Sequence, residues 1–343
     1  MGGAAGHMKH PFDIACNGQQ LFDLFVQAHK HIQNNKAHAA VKIDGLNVSV
    51  KLVNGFSGRS KQFALDRGSA KEADVLGVTI NDLEARFGDG HGMVAKGNKV
   101  LSILNKAIPK IKQELMRLGM WSNPNLLLNM EYVEGKSNVQ DYGCNFLAIH
   151  GLLGIKFVTS KRRQSYEVDH ASITMQSLIT KLNVVANEYG FKVVGSVPVT
   201  SLCYPSFNKE LNTKYTVHYS KRNSVTKPLK EWLQAVESVP HNVTLKLANN
   251  KKVTALSKEV FVSILEGVDL SKYIVEGNIE QAVNGFVCYL ATMKLGQAFL
   301  ESYTSELGKV SNQEGLVVRG LINEPFKITG SFIVRGMESS FRR

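Results

Sequence analysis

The chain has 343 residues, 43% hydrophobic and 20% charged, with Lys+Arg 41 against Asp+Glu 29 and a formal charge of +12. This balance describes a globular protein long enough for two or more domains, and a basic surface suited to a polyanionic partner such as nucleic acid. No segment is apolar for the length of a bilayer span, and Cys16, Cys144, Cys203 and Cys288 form no Cys-x-x-Cys pair, so a membrane chain, a zinc site and a disulfide framework are all disfavoured and a cytoplasmic setting fits.

Residues 1–8 lack the apolar core and cleavage pattern of a signal peptide and read as a cloning remnant outside the fold. Leu21, Leu24, Phe25, Ala28 and Ile32 then recur at helical spacing after an Asn17-Gly18 start signal. His29, His31 and His38 near that helix end read as solvated or dipole-complementing groups. A strand over 39–42 delivers Lys42, and beyond Gly45 the apolar Val48, Val50 and Leu52 alternate with Asn47, Ser49 and Lys51, the period of a half-buried strand. Asn54-Gly55 is a strong hairpin signal, because both central positions of the favoured two-residue turn need positive φ. With a loop of only those two residues, position 42 faces position 67, which returns the Arg67 guanidinium to Lys42. A neighbouring cation disfavours the ammonium form and so helps a lysine act as a nucleophile.

Further along, residues 86–92 are rich in Gly and charge but lack the spacing and flanks of a dinucleotide fingerprint or a P-loop, and read as a loop. Leu101, Leu104, Ile108, Ile111, Leu115 and Leu118 mark a core-facing helix. An apolar run from Leu126 ends on Glu131, and a second strand covers 145–153 and contains Phe146 and His150. Helix residues Leu182 and Val185 precede a strand-like stretch over 191–199. Two basic patches, 156–163 and 214–222, the latter ending in Lys221 and Arg222, suit phosphate contacts as well as they suit solvated loops. Ile279, Val283, Phe286, Leu290 and Met293 mark a long helix, so 206–307 reads as a largely helical insertion. Glu314 then leads into an apolar strand, and Phe326, Lys327, Ile328 and Thr329 alternate as another.

Lys42-Ile43-Asp44-Gly45 resembles motif I of the covalent nucleotidyltransferases, the ATP-dependent DNA and RNA ligases and the capping enzymes, and the chain as a whole looks most like the phage RNA-ligase type. In that family the motif I lysine attacks the α-phosphate of a nucleotide. The residues around Glu131 resemble motif III, whose glutamate contacts the ribose; 145–153 sits where motif IIIa lies, making Phe146 the candidate to stack on adenine; 313–319 resembles motif IV, whose carboxylate, here Glu314, serves a divalent metal; and 325–330 resembles motif V with Lys327. Two positions depart from the pattern: His150 stands where an aspartate is usual, and Thr329 stands where a second lysine is common, leaving Arg335 as the nearest replacement cation.

The resemblance implies an α+β fold: an antiparallel-sheet nucleotidyltransferase core, ATP-grasp-like, over 9–205 and 308–343, interrupted by the helical insertion over 206–307. With about a dozen residues after Gly330, no oligonucleotide-binding barrel is expected beyond motif V. It also implies a nucleotide site at Lys42, Asp44, Gly45, Arg67, Glu131, Phe146, Glu314 and Lys327, with ATP and Mg²⁺ or Mn²⁺ as cofactors and Glu131 and Glu314 toward the metal. The partner would be nicked or broken DNA, RNA or hybrid duplex, contacted by Lys221 and Arg222. The protein would be a monomer working in the cytoplasm, that of a host if phage-encoded. An RNA ligase, a DNA ligase without a barrel and a capping guanylyltransferase all remain open.

Overall fold

In a computed structural model of the chain, residues 8–34, 38–55, 58, 60–135, 142–202, 207–240, 243–305, 308–309 and 314–330 are described. They form two compact units, a contiguous one over Ile43–Val197 and one in which Met8–Lys42 joins the chain from Pro198 onward. The expected boundaries at 205 and 308 are therefore not the ones observed. The chain passes from one unit to the other between Lys42 and Ile43, inside the motif that singled out the lysine.

The discontinuous unit opens with α1 (Gly18–Gln33) and β1 (His38–Lys42). The Asn17 side chain caps α1 by accepting the Gln20 N–H at 2.9 Å, and Leu21, Leu24, Phe25, Ala28 and Ile32 are all buried, as the spacing requires. His29 departs from expectation. It is buried, its Nδ1 meets the Tyr303 hydroxyl, and desolvation lowers its pKa, so it is a core group rather than a solvated one.

The contiguous unit comprises β2 (Leu46–Asn54), β3 (Lys61–Leu65), α2 (Glu72–Leu76), α3 (Leu83–Phe87), α4 (Gly92–Arg117), β4 (Leu126–Val133), β5 (Phe146–Thr159), β6 (Arg162–Val168), α5 (Ser172–Ala186) and β7 (Lys192–Val194). Its sheet runs β3-β2-β4-β5-β6 with every pair antiparallel, and β7 adds parallel to β5 after the α5 crossover. Val48, Val50 and Leu52 share one face with Leu128, Met130, Leu147 and Ile149, and α4 and α5 cover that face with Leu101, Leu104, Ile111, Leu115, Leu178 and Leu182. Each such side chain contributes roughly 1.5–3 kcal/mol by leaving water. Of the glycine-rich stretch at 86–92, residues 88–91 make a short turn between α3 and α4, with His91 accepting the Met93 N–H as a cap.

The hairpin register also differs from the two-residue expectation. Asn54 pairs with Lys61 and Val50 with Leu65, so the connection runs over residues 55–60 and Arg67 is not brought opposite Lys42. Lys42 belongs to β1, in a different sheet. Arg67 instead donates from one guanidinium nitrogen to the Asn47 carbonyl at 2.8 Å, and burial holds its pKa below the usual range.

Nor is β2 half-buried, since Ser49 and Lys51 on its polar side are each 2% exposed. Lys51 is accommodated by a buried charge cluster that the alternation pattern did not reveal. Its ammonium donates to Asp66 Oδ2 at 2.9 Å and to the Asp74 carbonyl at 3.0 Å. Arg163 grips both Asp66 oxygens, at 3.1 and 2.7 Å, and Arg86 grips both oxygens of Asp74, at 3.0 and 3.1 Å. Desolvation lowers the Lys51 pKa while Asp66 pulls it back up. Arg163, read from sequence as part of a phosphate-binding patch, is therefore spent inside the fold.

The remainder of the discontinuous unit comprises β8 (Val199–Leu202), α6 (Phe207–Asn212), β9 (Lys214–Ser220), β10 (Asn223–Pro228), α7 (Leu229–Gln234), β11 (Thr244–Leu247), β12 (Lys252–Thr254), α8 (Lys258–Leu265), α9 (Leu270–Tyr273), β13 (Ile274–Glu276), α10 (Ile279–Leu300), β14 (Tyr303–Ser305), β15 (Gly308–Lys309), β16 (Gly315–Arg319) and β17 (Phe326–Thr329). Three three-stranded sheets, β1-β16-β17, β15-β14-β8 and β12-β11-β13, accompany the β9-β10 ribbon. The 206–307 interval is thus mixed rather than largely helical. It is not a separate module either, because α10 is buried around most of its circumference and packs on α1, β16 and β17.

The described residues are accordingly mixed α+β with antiparallel sheets and no barrel, and none of their helices is long and apolar enough to cross a membrane. Asp66→Ala would leave Lys51 and Arg163 buried without their shared carboxylate. It should lower the unfolding free energy by about 3–5 kcal/mol, read as a drop in urea midpoint, whereas a surface-type loss below about 1 kcal/mol would show that the cluster does not anchor the unit.

Candidate functional site

The sequence-predicted residues fall into two sets, one in each unit. In the discontinuous unit, β1 pairs with β16 so that Lys42 lies opposite Gly315, and β16 pairs with β17 so that Val317 lies opposite Lys327. A Cβ on Gly315 would stand 2.0 Å from the Ile328 carbonyl oxygen, so only glycine lets β17 close up on β16 at this point. Glu314 directly precedes that glycine, and its Oε2 receives the Lys42 ammonium in a charge-assisted hydrogen bond. The two side chains are 23% and 18% exposed, enough for a ligand to reach them.

Lys327 is half-buried, its backbone N–H donating to the Lys9 carbonyl at 2.9 Å. Burial pushes its pKa down first; the positive charge of Lys42 pushes the same way, and Glu314 and Asp13 oppose it. Two lysines and one carboxylate thus share a single short sheet, although they come from opposite ends of the chain. Such a set can carry an amine nucleophile beside a cation that stabilises negative charge developing on a phosphate. Thr329, on the same strand, is buried with its hydroxyl toward the Met293 sulfur at 3.8 Å, so it makes no second basic contact. Arg335 lies outside the described residues.

In the contiguous unit, the sheet face away from α4 and α5 carries Asn47, Asn129, Glu131 and His150. Asn47 and Glu131 are direct partners across β2 and β4, and the Asn47 amide donates to Asn129 Oδ1 at 2.9 Å. Glu131 Oε2 lies 3.5 Å from His150 Nε2, with the two side chains 12% and 19% exposed. Gly45 packs against the stem of Glu131, where a Cβ would meet the Tyr132 carbonyl oxygen at 2.7 Å and Glu131 Cγ at 2.8 Å. Glycine at position 45 is therefore explained by close approach rather than by an unusual φ. The Asp44 N–H donates to the Tyr142 hydroxyl at 3.0 Å.

Phe146 does not serve as expected. It is buried in a small apolar cluster with Ile43, Val133 and Ala148, and the Tyr142 ring meets it edge-on at 5.1 Å, so it offers no open face to a base. Sequence reasoning passed over Tyr142, and weighed His150 only as a departure from a motif. The signal it could have used for His150 is the neighbouring Gly151, whose φ of 143° marks a β-bulge. Lys221 and Arg222 are exposed in the turn between β9 and β10.

Among the described residues no group of three or more His, Cys, Asp or Glu side chains could hold a metal ion. The chain matches no family model, no curated protein and no solved structure.

The electrostatics of the lysine pair are directly measurable. The Lys327 amine, followed by NMR of its side-chain nitrogen, should titrate below the ordinary lysine value of about 10.4. Lys42→Met should move that titration upward and Glu314→Gln should move it further down, whereas no response to either substitution would show that Lys42 and Glu314 do not act on Lys327.

Proposed function

We propose that the protein is an ATP-dependent polynucleotide ligase of the RNA-ligase type, joining 3′-hydroxyl and 5′-phosphate ends at breaks in duplex nucleic acid. The observation that carries this reading is the Lys42–Glu314 pair with Lys327 one strand away. Residues 272 positions apart in sequence, each singled out by a separate motif, share one sheet.

In the first step Lys42, having lost a proton, attacks the α-phosphate of ATP. A phosphorus–nitrogen bond forms, the bond to the bridging oxygen breaks, and pyrophosphate leaves. An ordinary lysine is only about 0.1% neutral at physiological pH, so the resting ion pair with Glu314 must be given up before attack. Lys327 is the cation that offsets negative charge developing on the phosphate. In the second step AMP passes to a 5′-phosphate, and in the third a 3′-hydroxyl displaces it as the phosphodiester forms.

Glu314, paired with Lys42, is the hard carboxylate that would serve Mg²⁺, an ion commonly held by one or two carboxylates and completed by substrate phosphates. When bound it would neutralise phosphate charge. Exposed Lys221 and Arg222, on a two-stranded ribbon of a +12 chain, suit a duplex backbone.

Incubation with α-labelled ATP and Mg²⁺ should give an acid-labile labelled protein that Lys42→Ala abolishes and Lys327→Ala slows by about a hundredfold. Label retained by Lys42→Ala would overturn the assignment, and efficient labelling by GTP would favour a capping enzyme. A gel assay with matched nicked DNA, RNA and hybrid duplexes separates an RNA ligase from a DNA ligase. Reversing Lys221 and Arg222 to Glu should weaken duplex binding and reduce the slope of log K against log salt by about two, with labelling of Lys42 unchanged. An unaltered slope would remove the ribbon from the interface.

A further inference from the structure

We propose that the outer end of the β5–β6 hairpin binds single-stranded nucleic acid, a base stacking on the Tyr166 ring while Lys156, Lys161 and Arg162 meet the phosphates around it. The surface lies wholly within the contiguous unit and does not depend on the chemistry proposed for Lys42. Three observations carry it.

First, the hairpin carries one sign of charge. Between Lys156 and Tyr166 stand four cations, Lys156, Lys161, Arg162 and Arg163, and no carboxylate. Arg163 is committed to Asp66, and Phe157, its partner across the strands, lies against its guanidinium on the face that carries Leu153 and Ile155. The other three cations are exposed. Second, the opposite face of the hairpin runs out beyond the helical cover. Leu152 and Val168 pair there and still pack on the core that α4 and α5 cover, but farther out Gly154 pairs with Tyr166 and Lys156 with Gln164, and Tyr166 is 50% exposed. Third, the tyrosine is laid down on the sheet. A Cβ on Gly154 would stand 2.3 Å from its Cζ and 2.6 Å from its Cε2, so the ring lies across the glycine and turns its outer side to solvent.

A ring lying flat on a sheet with cations beside it matches a single strand, since every base has a face to stack and a phosphate next to it. A duplex keeps its base faces inside and offers phosphates alone, and an acidic peptide offers charge with nothing to cover the ring. Strand alternation puts Arg162 and Gln164 on the same face of β6 as Tyr166. The Lys156 ammonium stands 5.9 Å from the ring centroid, within a side chain's swing of the phosphate of a base seated there. The first carboxylate after the hairpin, Glu167, pairs with Leu153 and so belongs to the other face.

The test measures binding of the full chain, without ATP, to a fluorescein-labelled oligonucleotide of about twelve nucleotides with no self-complementarity, read by fluorescence anisotropy. Tyr166→Ala should weaken binding by about tenfold or more, while Tyr166→Trp keeps it and the affinity of Tyr166→Ala for the matching duplex stays that of the wild type. Gly154→Ala, whose methyl displaces the ring, should weaken binding in the wild type and add nothing to Tyr166→Ala. Lys156→Gln combined with Arg162→Gln should reduce the slope of log K against log salt by about 1.4. If Gly154→Ala fails to fold, the contrast between Ala and Trp at position 166 decides. Unchanged single-strand binding by Tyr166→Ala overturns the proposal, and so do an equal loss in the Trp variant, an equal loss for the duplex, an unaltered salt slope, or displacement of the probe by polyglutamate as readily as by unlabelled single strand. A chain that binds through Tyr166 but does not label at Lys42 overturns the ligase reading alone, and one that labels but does not bind the single strand overturns this proposal alone.

Discussion

Antiparallel pairing of β1 with β16 is the contact on which the Lys42–Glu314 ion pair depends. Neither strand alone places anything: β1 ends on a lysine and β16 begins after a glutamate. Only their register, with Lys42 opposite Gly315, turns those two residues into an ion pair. Because β17 must close on β16 at a position where a Cβ would lie 2.0 Å from a carbonyl oxygen, the glycine is as necessary as the charges it separates. The α10 helix supports this arrangement from behind, packing on β16 and β17, with Gly296 allowing a similarly close approach to the Thr329 carbonyl.

The contiguous unit solves a different problem. Its sheet buries one face against two helices in the ordinary way, yet places Lys51, Asp66, Asp74 and Arg163 almost wholly out of water. Buried ion clusters add little net stability over well-packed apolar groups, but removing one member leaves a charge stranded. This cluster ties the segment after β3 to the β5–β6 hairpin through Arg163, which also donates to the Ser69 carbonyl at 2.8 Å. Arg67, directly after Asp66, is held by the same segment and by the Asn47 carbonyl.

Much of this was legible in the sequence where the physics is local. Helical spacing and the Asn17 cap located α1, the apolar seam located α4, strand alternation located β2 and β17, and an apolar run located β16. What was not legible depends on partners distant in the chain. Asn54-Gly55 correctly signalled a turn, but not that the connection would run to residue 60, and a register inferred from a two-residue loop misplaced Arg67. Polarity suggested that Ser49 and Lys51 faced water, since the carboxylate that buries Lys51 lies 15 residues away. In β9, Tyr215, Val217 and Tyr219 alternate with polar residues, but the stretch read as a basic patch, and the long apolar helix at 279–293 led the whole interval to read as helical. Phe146 was chosen for its ring, and only the apolar cluster around it shows that the ring is packed in.

The order in which the chain is made bears on the split of the discontinuous unit. The sheet over residues 43–197 has all its strands as soon as Val194 has been synthesised, and it can close on local and mid-range contacts. Strand β1 precedes it but has to wait for β16, on the order of ten seconds longer at ordinary elongation rates. Throughout that interval Lys42 is an ordinary lysine on an unpaired edge, without Glu314 or Lys327 beside it. Its ion pair with Glu314 therefore forms only late in synthesis, after the contiguous unit has had time to fold.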